Sequence, residues 1–237
     1  MADRYPTSRR ALVVRHHDED RPGLVGDALA SRGFDLDVVM MDAASPTPDL
    51  DGYDLLVVLG SKHSVYDPAI EQAWFGRELD LLAEADRRAV PVFGICFGAQ
   101  ALCRFHGGTV SRSHAPEVGW FEVSDDAGLG IDSGPWFEYH FDRCHLPGHA
   151  KVWASNDNAV QAFALGRDVG VQFHPEIDEH QLADWMGAGG DEDARDLGLD
   201  PAELVARTAR ETPAARERVS RLVDVVLRHV DSASTVA

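Results

Sequence analysis

Short apolar runs alternate with amphipathic stretches over the first hundred residues. Runs rich in β-branched and other apolar residues predict buried strands at 11–15, 36–41, 54–59 and 90–95. Helical spacing of apolar positions, or a position directly behind a strand, predicts helices at 22–32, 69–88 and 97–106. Strands that alternate with helices predict an α/β fold: an open, mostly parallel twisted sheet with helices on both faces.

The second half of the chain follows a different pattern. Glycine, proline, aspartate and asparagine punctuate short strand-like runs between 107 and 173. Examples of these runs are 120–123, 151–154, 160–165 and 169–173. We expect them to add antiparallel strands to the sheet.

A C-terminal segment follows these strands. Glycine and acidic residues predict a loop at 187–196. Asp200 and Pro201 are typical of a helix start, and helices are expected from there to about 210 and again over 213–230. The predicted organisation is therefore one domain over 10–185, with an acidic loop and a C-terminal helical extension at 186–237 packed on it.

Charge and composition exclude several classes of protein. The 237 residues carry a net charge of −18, which would repel nucleic acid and anionic membranes. No apolar run approaches the ~20 residues of a membrane helix. The polar segment 1–10 does not resemble a secretory signal. The three cysteines are too few for a disulfide framework, so we expect a reduced, cytoplasmic protein.

One strand-to-helix junction carries the most specific chemical pattern. Gly94, Cys96 and Gly98 stand at alternate positions between the fourth strand and the helix behind it. This is the arrangement of a nucleophile elbow, with cysteine in place of serine. A sharp turn exposes the nucleophile, small neighbours allow backbone to approach, and the helix N-terminus favours the thiolate. The alternative is a glycine-rich turn with a buried structural cysteine.

A second segment supplies a base and its orienting carboxylate. His174 follows the strand-like run 169–173, and Glu176 comes two residues later. A thiolate nucleophile needs a base to take and return a proton, and the base needs a carboxylate to orient it. Cys96, His174 and Glu176 are therefore predicted to form a catalytic triad, although a lone His-Pro-Glu is more often a solvated turn.

The loop after the third strand is a candidate for transition-state stabilisation. Gly60 and Ser61 leave that strand, and a loop of this kind can turn backbone N–H groups outward. One such N–H, together with the N–H of Phe97, would form an oxyanion hole. An ordinary strand-to-helix loop is the alternative.

With these motifs, the chain resembles the class I (triad) glutamine amidotransferases, and most of all stand-alone relatives of the glutaminase domain of GMP synthase. The family's Gly-x-Cys-x-Gly-x-Gln pattern matches 94–100, and its His-Pro-Glu matches 174–176. Further matches lie at 107–110, 117–120, 140–147 and 170–173. The resemblance spans about residues 10 to 180 and implies the family's flavodoxin-like fold.

The resemblance also implies a reaction. In such enzymes the cysteine attacks the side-chain amide of glutamine, a glutamyl thioester forms, ammonia leaves, and water releases glutamate. The match implies that Gln100 and backbone near Tyr139, His140 and Phe141 hold the substrate. It implies no cofactor and no metal, and the other histidines show no metal-ligand spacing.

Two departures from the family pattern bear on specificity. The family usually has Gly-Gly-Pro where this chain has Gly60, Ser61 and Lys62. A serine restricts the peptide flip that paired glycines allow, so the N–H is held either inward or outward. The family often has glycine where this chain has Phe141, and a ring there would reshape the substrate site.

Three functional hypotheses follow. The first is a glutaminase that supplies ammonia to a separate synthetase or acceptor subunit, because no nucleotide-binding loop is present. The second is a γ-glutamyl amide hydrolase or peptidase that uses the same triad on a different leaving group. The third, a non-catalytic interaction module, is disfavoured by the intact triad.

Overall fold

A computed structural model describes residues 9–131 and 134–234. Most of the polar segment 1–10 lies outside the described residues. Among the helices of the described part, none combines the length and apolarity that crossing a bilayer requires.

An eight-stranded sheet forms the centre of the molecule. From one edge to the other its strands are β2 (Phe34–Met40), β1 (Arg9–Arg15), β3 (Leu55–Val58), β4 (Val92–Ile95), β10 (Asp168–Val171), β9 (Val160–Leu165), β8 (Lys151–Ser155) and β6 (Ser124–Asp125). Neighbours from β2 to β10 in this order run parallel, and those from β10 to β6 run antiparallel. The predicted α/β sheet with added antiparallel strands is confirmed.

A second sheet has two antiparallel strands, β5 (Thr109–Phe121) and β7 (Trp136–His145). The prediction placed only 120–123 of this region in a strand and left β7 out. The inward positions of β7 include Glu138, His140 and Asp142, all buried. Polar residues at these positions hide the apolar alternation that marks a strand.

Helices cover both faces of the central sheet. Alternate residues of β1 enter separate cores: Ala11 and Val13 pack on one side, and Leu12 and Val14 on the other. The first core includes helix α1 (Gly23–Ala30) and the second includes α3 (Gly76–Arg87). Strands buried on both faces explain the continuous apolar runs in the sequence.

Two predicted segments differ in the structure. The single helix expected at 69–88 is divided into α2 (Pro68–Ile70), a π-helical turn (Glu71–Phe75) and α3. The loop expected at 187–196 is wrong. Helix α5 (Glu179–Trp185) is followed by a turn (Met186–Gly190), in which Gly189 has a non-helical φ of 111°, and by helix α6 (Asp191–Asp196). The acidic residues that suggested a loop lie in the first turn of α6, where the helix dipole favours them.

The two helices expected after residue 200 are one helix, α7 (Pro201–Ser234), with Pro213 inside it. Proline removes one intrahelical hydrogen bond, which favours a break in a helix. The Thr212 hydroxyl donates to the Thr208 carbonyl at 2.9 Å, one turn earlier. Beyond the proline, buried apolar residues continue the stripe at Val219, Leu222, Val223, Val226 and Leu227. Packing of that stripe favours an unbroken helix.

Candidate active site

Cys96 lies in a strained turn between β4 and helix α4 (Phe97–Phe105), with φ 50° and ψ −101°. Its N–H donates to the Val171 carbonyl on β10 at 2.8 Å. The flanking glycines are sterically required: a Cβ on Gly94 would lie 2.5 Å from the Gly98 oxygen, and one on Gly98 would lie 2.2 Å from the Val58 oxygen. The geometry is that of a nucleophile elbow.

The His174 ring lies between Cys96 and Glu176. Its Nδ1 is 2.7 Å from Glu176 Oε1, and Cys96 is close enough to the ring to raise its pKa. Backbone fixes the base as well, because the His174 N–H donates to the Phe137 carbonyl at 2.7 Å. Burial opposes protonation, but the negative charges of Glu176 and Cys96 outweigh it and raise the pKa of His174 well above its ordinary value. All three side chains are buried.

The structure places the three predicted oxyanion residues beside this triad. A Cβ on Gly60 would lie 2.9 Å from His174 Cε1 and 3.8 Å from Cys96 Cβ, so only glycine fits there. The Ser61 hydroxyl faces away, 3.4 Å from His17 Nε2. Phe97 opens α4, where backbone N–H groups have no partner within the helix.

The four predicted substrate residues are not equally placed. Tyr139 lines the cavity beside His174, and its carbonyl lies 3.9 Å from the Cys96 sulfur. Gln100 is buried against Gln172, and Phe141 packs under the Arg112 guanidinium. The His140 side chain lies on the other face of β7 from Tyr139, among carboxylates.

That buried cluster consists of His140, Glu117 and Glu138. His140 Nε2 lies 3.1 Å from a Glu117 oxygen and 3.3 Å from a Glu138 oxygen, and Nδ1 is 2.9 Å from the Asp142 carbonyl. Burial opposes protonation, but hydrogen bonding to the two glutamates raises the pKa of His140 to about 10. This pKa favours the protonated ring at neutral pH, and burial also raises the pKa of Glu138.

Sequence reasoning missed a buried pair beneath the oxyanion loop. His16 follows β1, and its side chain is fully buried with that of Glu78 on α3. Its Nδ1 lies 2.7 Å from the Gly60 carbonyl oxygen, and its Nε2 lies 2.7 Å from Glu78 Oε2. Glu78 comes four residues after Trp74 and four before Leu82, so a carboxylate stands within an apolar helical stripe. A charged residue at an apolar position of the helix is the sequence signal that could have identified this buried pair.

Asp20 is a second residue that sequence reasoning missed. It is buried and lines the cavity beside His174. Burial is the largest cause that raises its pKa to about 6, helped by the charge of Glu176 and opposed by that of His16.

A cavity of about 320 Å³ opens beside His174. Its walls combine the oxyanion loop, Tyr139, and residues from the end of α5 through α6. The acidic residues on it are Glu19, Asp20 and Asp193, and Lys62 brings a positive charge to the same walls. Among the described residues, no group of His, Cys, Asp or Glu has the arrangement of a metal site.

Comparison with known proteins identifies relatives. The family model "Glutamine amidotransferase class-I" matches residues 24–184. The chain is 33% identical to the glutamine-hydrolysing GMP synthase of Aeropyrum pernix over 69% of its own length and 31% of that protein. It is 30% identical to one subunit of the glutamine-hydrolysing GMP synthase of Sulfurisphaera tokodaii, over 60% of its own length and 77% of that subunit.

A solved structure extends the similarity to the fold. A glutamine amidotransferase from Thermotoga maritima superposes with a TM-score of 0.81 at 26% identity, over 92% of this chain and 98% of that one. Since the chain spans about a third of the Aeropyrum protein, the similarity concerns one region of that longer protein. On the matched region and the shared fold, the chain belongs to the class I glutamine amidotransferase family.

Proposed function

We propose that the chain is a cysteine-dependent amide hydrolase that cleaves the side-chain amide of glutamine and releases ammonia. One observation carries the proposal: Cys96 is held in a strained elbow next to a His174 ring that Glu176 orients at 2.7 Å. This geometry supplies a nucleophile, a base and an orienting carboxylate from protein alone.

The first half-reaction forms a thioester. The Cys96 sulfur attacks the amide carbon, and His174 holds the thiol proton. The carbonyl oxygen becomes an oxyanion, which backbone N–H groups of Ser61 and Phe97 are placed to stabilise. Collapse of this intermediate breaks the C–N bond, and the proton on His174 passes to the departing nitrogen, so ammonia leaves.

The second half-reaction restores the enzyme. His174 takes a proton from water, the resulting hydroxide attacks the thioester carbon, and a second oxyanion forms in the same place. Its collapse returns the thiolate, which recovers the proton from His174, and glutamate leaves. In the proposed physiological setting a separate synthetase or acceptor subunit uses the ammonia, and the site works in the cytoplasm.

An ammonia-release assay tests this proposal. We expect the wild-type chain to hydrolyse glutamine and the Cys96→Ala variant to be inactive, while Cys103→Ala and Cys144→Ala retain activity. The latter two cysteines are buried in an apolar cluster separate from the one that contains Cys96, and they serve as matched controls. Activity that survives in Cys96→Ala would contradict the mechanism.

A second candidate, hydrolysis of γ-glutamyl amides with larger leaving groups, is favoured by the cavity. The Trp185 ring packs edge-on 5.0 Å from the His174 ring, and both residues line the cavity. Trp185, Gly190 and Asp193 extend the cavity, and all three lie beyond the matched region 24–184. An aromatic wall with acidic neighbours suits an organic amine better than ammonia alone.

A substrate panel separates the two candidates. It contains glutamine, a γ-glutamyl alkylamide, a γ-glutamyl anilide and a γ-glutamyl diamine. Preference for the larger amides, reduced by Trp185→Ala and, for the diamine, by Asp193→Asn, would establish the second candidate. Preference for glutamine that neither substitution alters would establish the first.

A further inference from the structure

His16 and Glu78 form a buried polar pair that no step of the proposed reaction uses. Both side chains have no exposed surface, and one oxygen of Glu78 has no hydrogen-bond partner among the described residues. A buried carboxylate with an unsatisfied oxygen is costly to fold, so its retention needs an explanation. The contacts of His16 provide one.

Both ring nitrogens of His16 are engaged. Nδ1 faces the Gly60 carbonyl, which can only accept, so Nδ1 carries a proton and donates at 2.7 Å. Nε2 faces Glu78 at 2.7 Å. The ring is also clamped between Trp74, stacked at 5.0 Å, and Phe97, edge-on at 4.9 Å. His16 therefore contacts the Gly60 carbonyl and the Phe97 side chain, and both residues belong to the candidate oxyanion hole.

Strand order and the His16 contact together define the direction of the Gly60–Ser61 peptide. The neighbours run β1, β3, β4, so His16 after β1 and Cys96 after β4 lie on opposite sides of Gly60 after β3. The Gly60 carbonyl points toward His16. No described peptide bond is cis, and in a trans peptide the N–H is directed opposite to the carbonyl. The Ser61 N–H thus points toward Cys96.

Two further observations agree with this direction. The Gly60 Cα is packed against the triad, since a Cβ there would lie 2.9 Å from His174 Cε1. Within residues 9–131 and 134–234, the Ser61 N–H has no hydrogen-bond acceptor. A backbone donor left unpaired beside a nucleophile is available to a developing oxyanion.

We propose that His16 and Glu78 are positioning residues that hold the Gly60–Ser61 peptide with its N–H turned toward Cys96, so that the oxyanion hole is formed before any partner or substrate binds. Of the two orientations that Ser61 leaves open, this is the inward one. The proposal rests on the proposed cysteine hydrolase function. The experiment below can reject the positioning role of His16 and Glu78 without rejecting that function, and the reverse.

Two reactions of Cys96 distinguish an effect on the geometry of the oxyanion hole from an effect on the reactivity of the thiol. Acylation by p-nitrophenyl acetate passes through a tetrahedral oxyanion, whereas alkylation by iodoacetamide displaces iodide at a saturated carbon and forms none. Acylation is followed as the p-nitrophenolate burst, and alkylation as mass added to Cys96, with Cys96→Ala as the background. Neither reagent depends on the identity of the physiological amide.

We expect His16→Leu to slow acylation by about 10²-fold, the effect of losing one oxyanion donor, while alkylation stays unchanged. His16→Asn, whose amide can still donate to the Gly60 carbonyl, should recover part of the loss. Glu78→Gln should have a smaller effect of the same kind. If glutamine is a substrate, kcat should fall with KM unchanged.

His106→Leu is the matched control. His106 pairs with Asp168 at 2.8 Å, another histidine–carboxylate pair, but at the far end of α4 from Cys96. It should leave the ratio of acylation to alkylation unaltered. The proposal is overturned if His16→Leu and His16→Asn lower both reactions equally, lower neither, or change the ratio no more than His106→Leu does. If the ratio of acylation to alkylation falls in His16→Leu as expected but the wild type hydrolyses no amide of the panel, only the proposed function is rejected.

Discussion

Two buried histidines lie near the Cys96 sulfur on neighbouring parts of the fold. His174, after β10, bonds one carboxylate through Nδ1 and leaves its other side to the thiol. His140, on β7, has Nδ1 at the Asp142 carbonyl and Nε2 between two glutamates. Both have raised pKa values, so charge alone does not distinguish them. What distinguishes them is a ring nitrogen that faces a reacting group.

Loss of His174 should have the largest effect on activity. His174→Ala removes the group that takes and returns the proton, so kcat should fall by at least ~10⁴-fold, about as far as in Cys96→Ala. Steady-state kinetics on the best substrate of the panel measure this. A His174→Ala variant with near-normal kcat would mean that His140 or another group is the base.

Glu176→Gln should be less damaging than His174→Ala, by about 10²-fold, because the carboxylate orients and supports the ring without handling the proton. The measurement is kcat for the two variants side by side. Were Glu176→Gln the more damaging of the two, the roles assigned to the pair would be wrong.

His140→Leu should show the reverse pattern, with stability affected more than chemistry. It leaves Glu117 and Glu138 buried without their cation, which costs about 3–5 kcal/mol of unfolding free energy. Denaturant unfolding measures this, and kcat per folded molecule should change far less than in His174→Ala. The stabilisation from His140 is full below its unfolded pKa and is lost as pH rises toward about 10.

Asp20→Asn should have the smallest effect, visible as a change in pH dependence. The folded pKa of Asp20, about 6, exceeds the ordinary 3.8, so the folded state binds more protons between these values. Wild-type stability should therefore decline as pH rises from about 4 to about 6, by at most about 3 kcal/mol from this group. Melting curves should show that the stability of Asp20→Asn relative to the wild type is higher at pH 7 than at pH 4. An unchanged difference would exclude this shift.

The parts that sequence predicted best are those where local rules and tertiary packing agree. The strands β1, β3 and β4 are short apolar runs, and the elbow glycines are required by contacts within a few ångströms. The residues predicted to form the triad stand in short local motifs, and the structure brings them together. Their proximity follows from parallel strands ending at one edge of the sheet.

The parts that sequence missed depend on partners distant along the chain. His16 and Glu78 are 62 positions apart, and His140 meets Glu117 only because β5 and β7 pair. The long helix α7 continues through Pro213 because its apolar stripe is packed, which local propensity does not report. The role of a polar residue at a core position depends on the partner that another element packs against it, and the local sequence does not identify that partner.

The backbone of Cys96 has a consequence for the protein's evolution. Its φ of 50° and ψ of −101° lie where side chains are disfavoured, a strain of roughly 1–3 kcal/mol that the surrounding contacts hold in place. Glycine adopts such angles freely, so a lineage released from selection for activity would become more stable by exchanging its cysteine for glycine. Catalytically silent descendants of this fold should thus carry Gly-x-Gly-x-Gly at the elbow, and under the proposed function selection for activity keeps a less stable residue there.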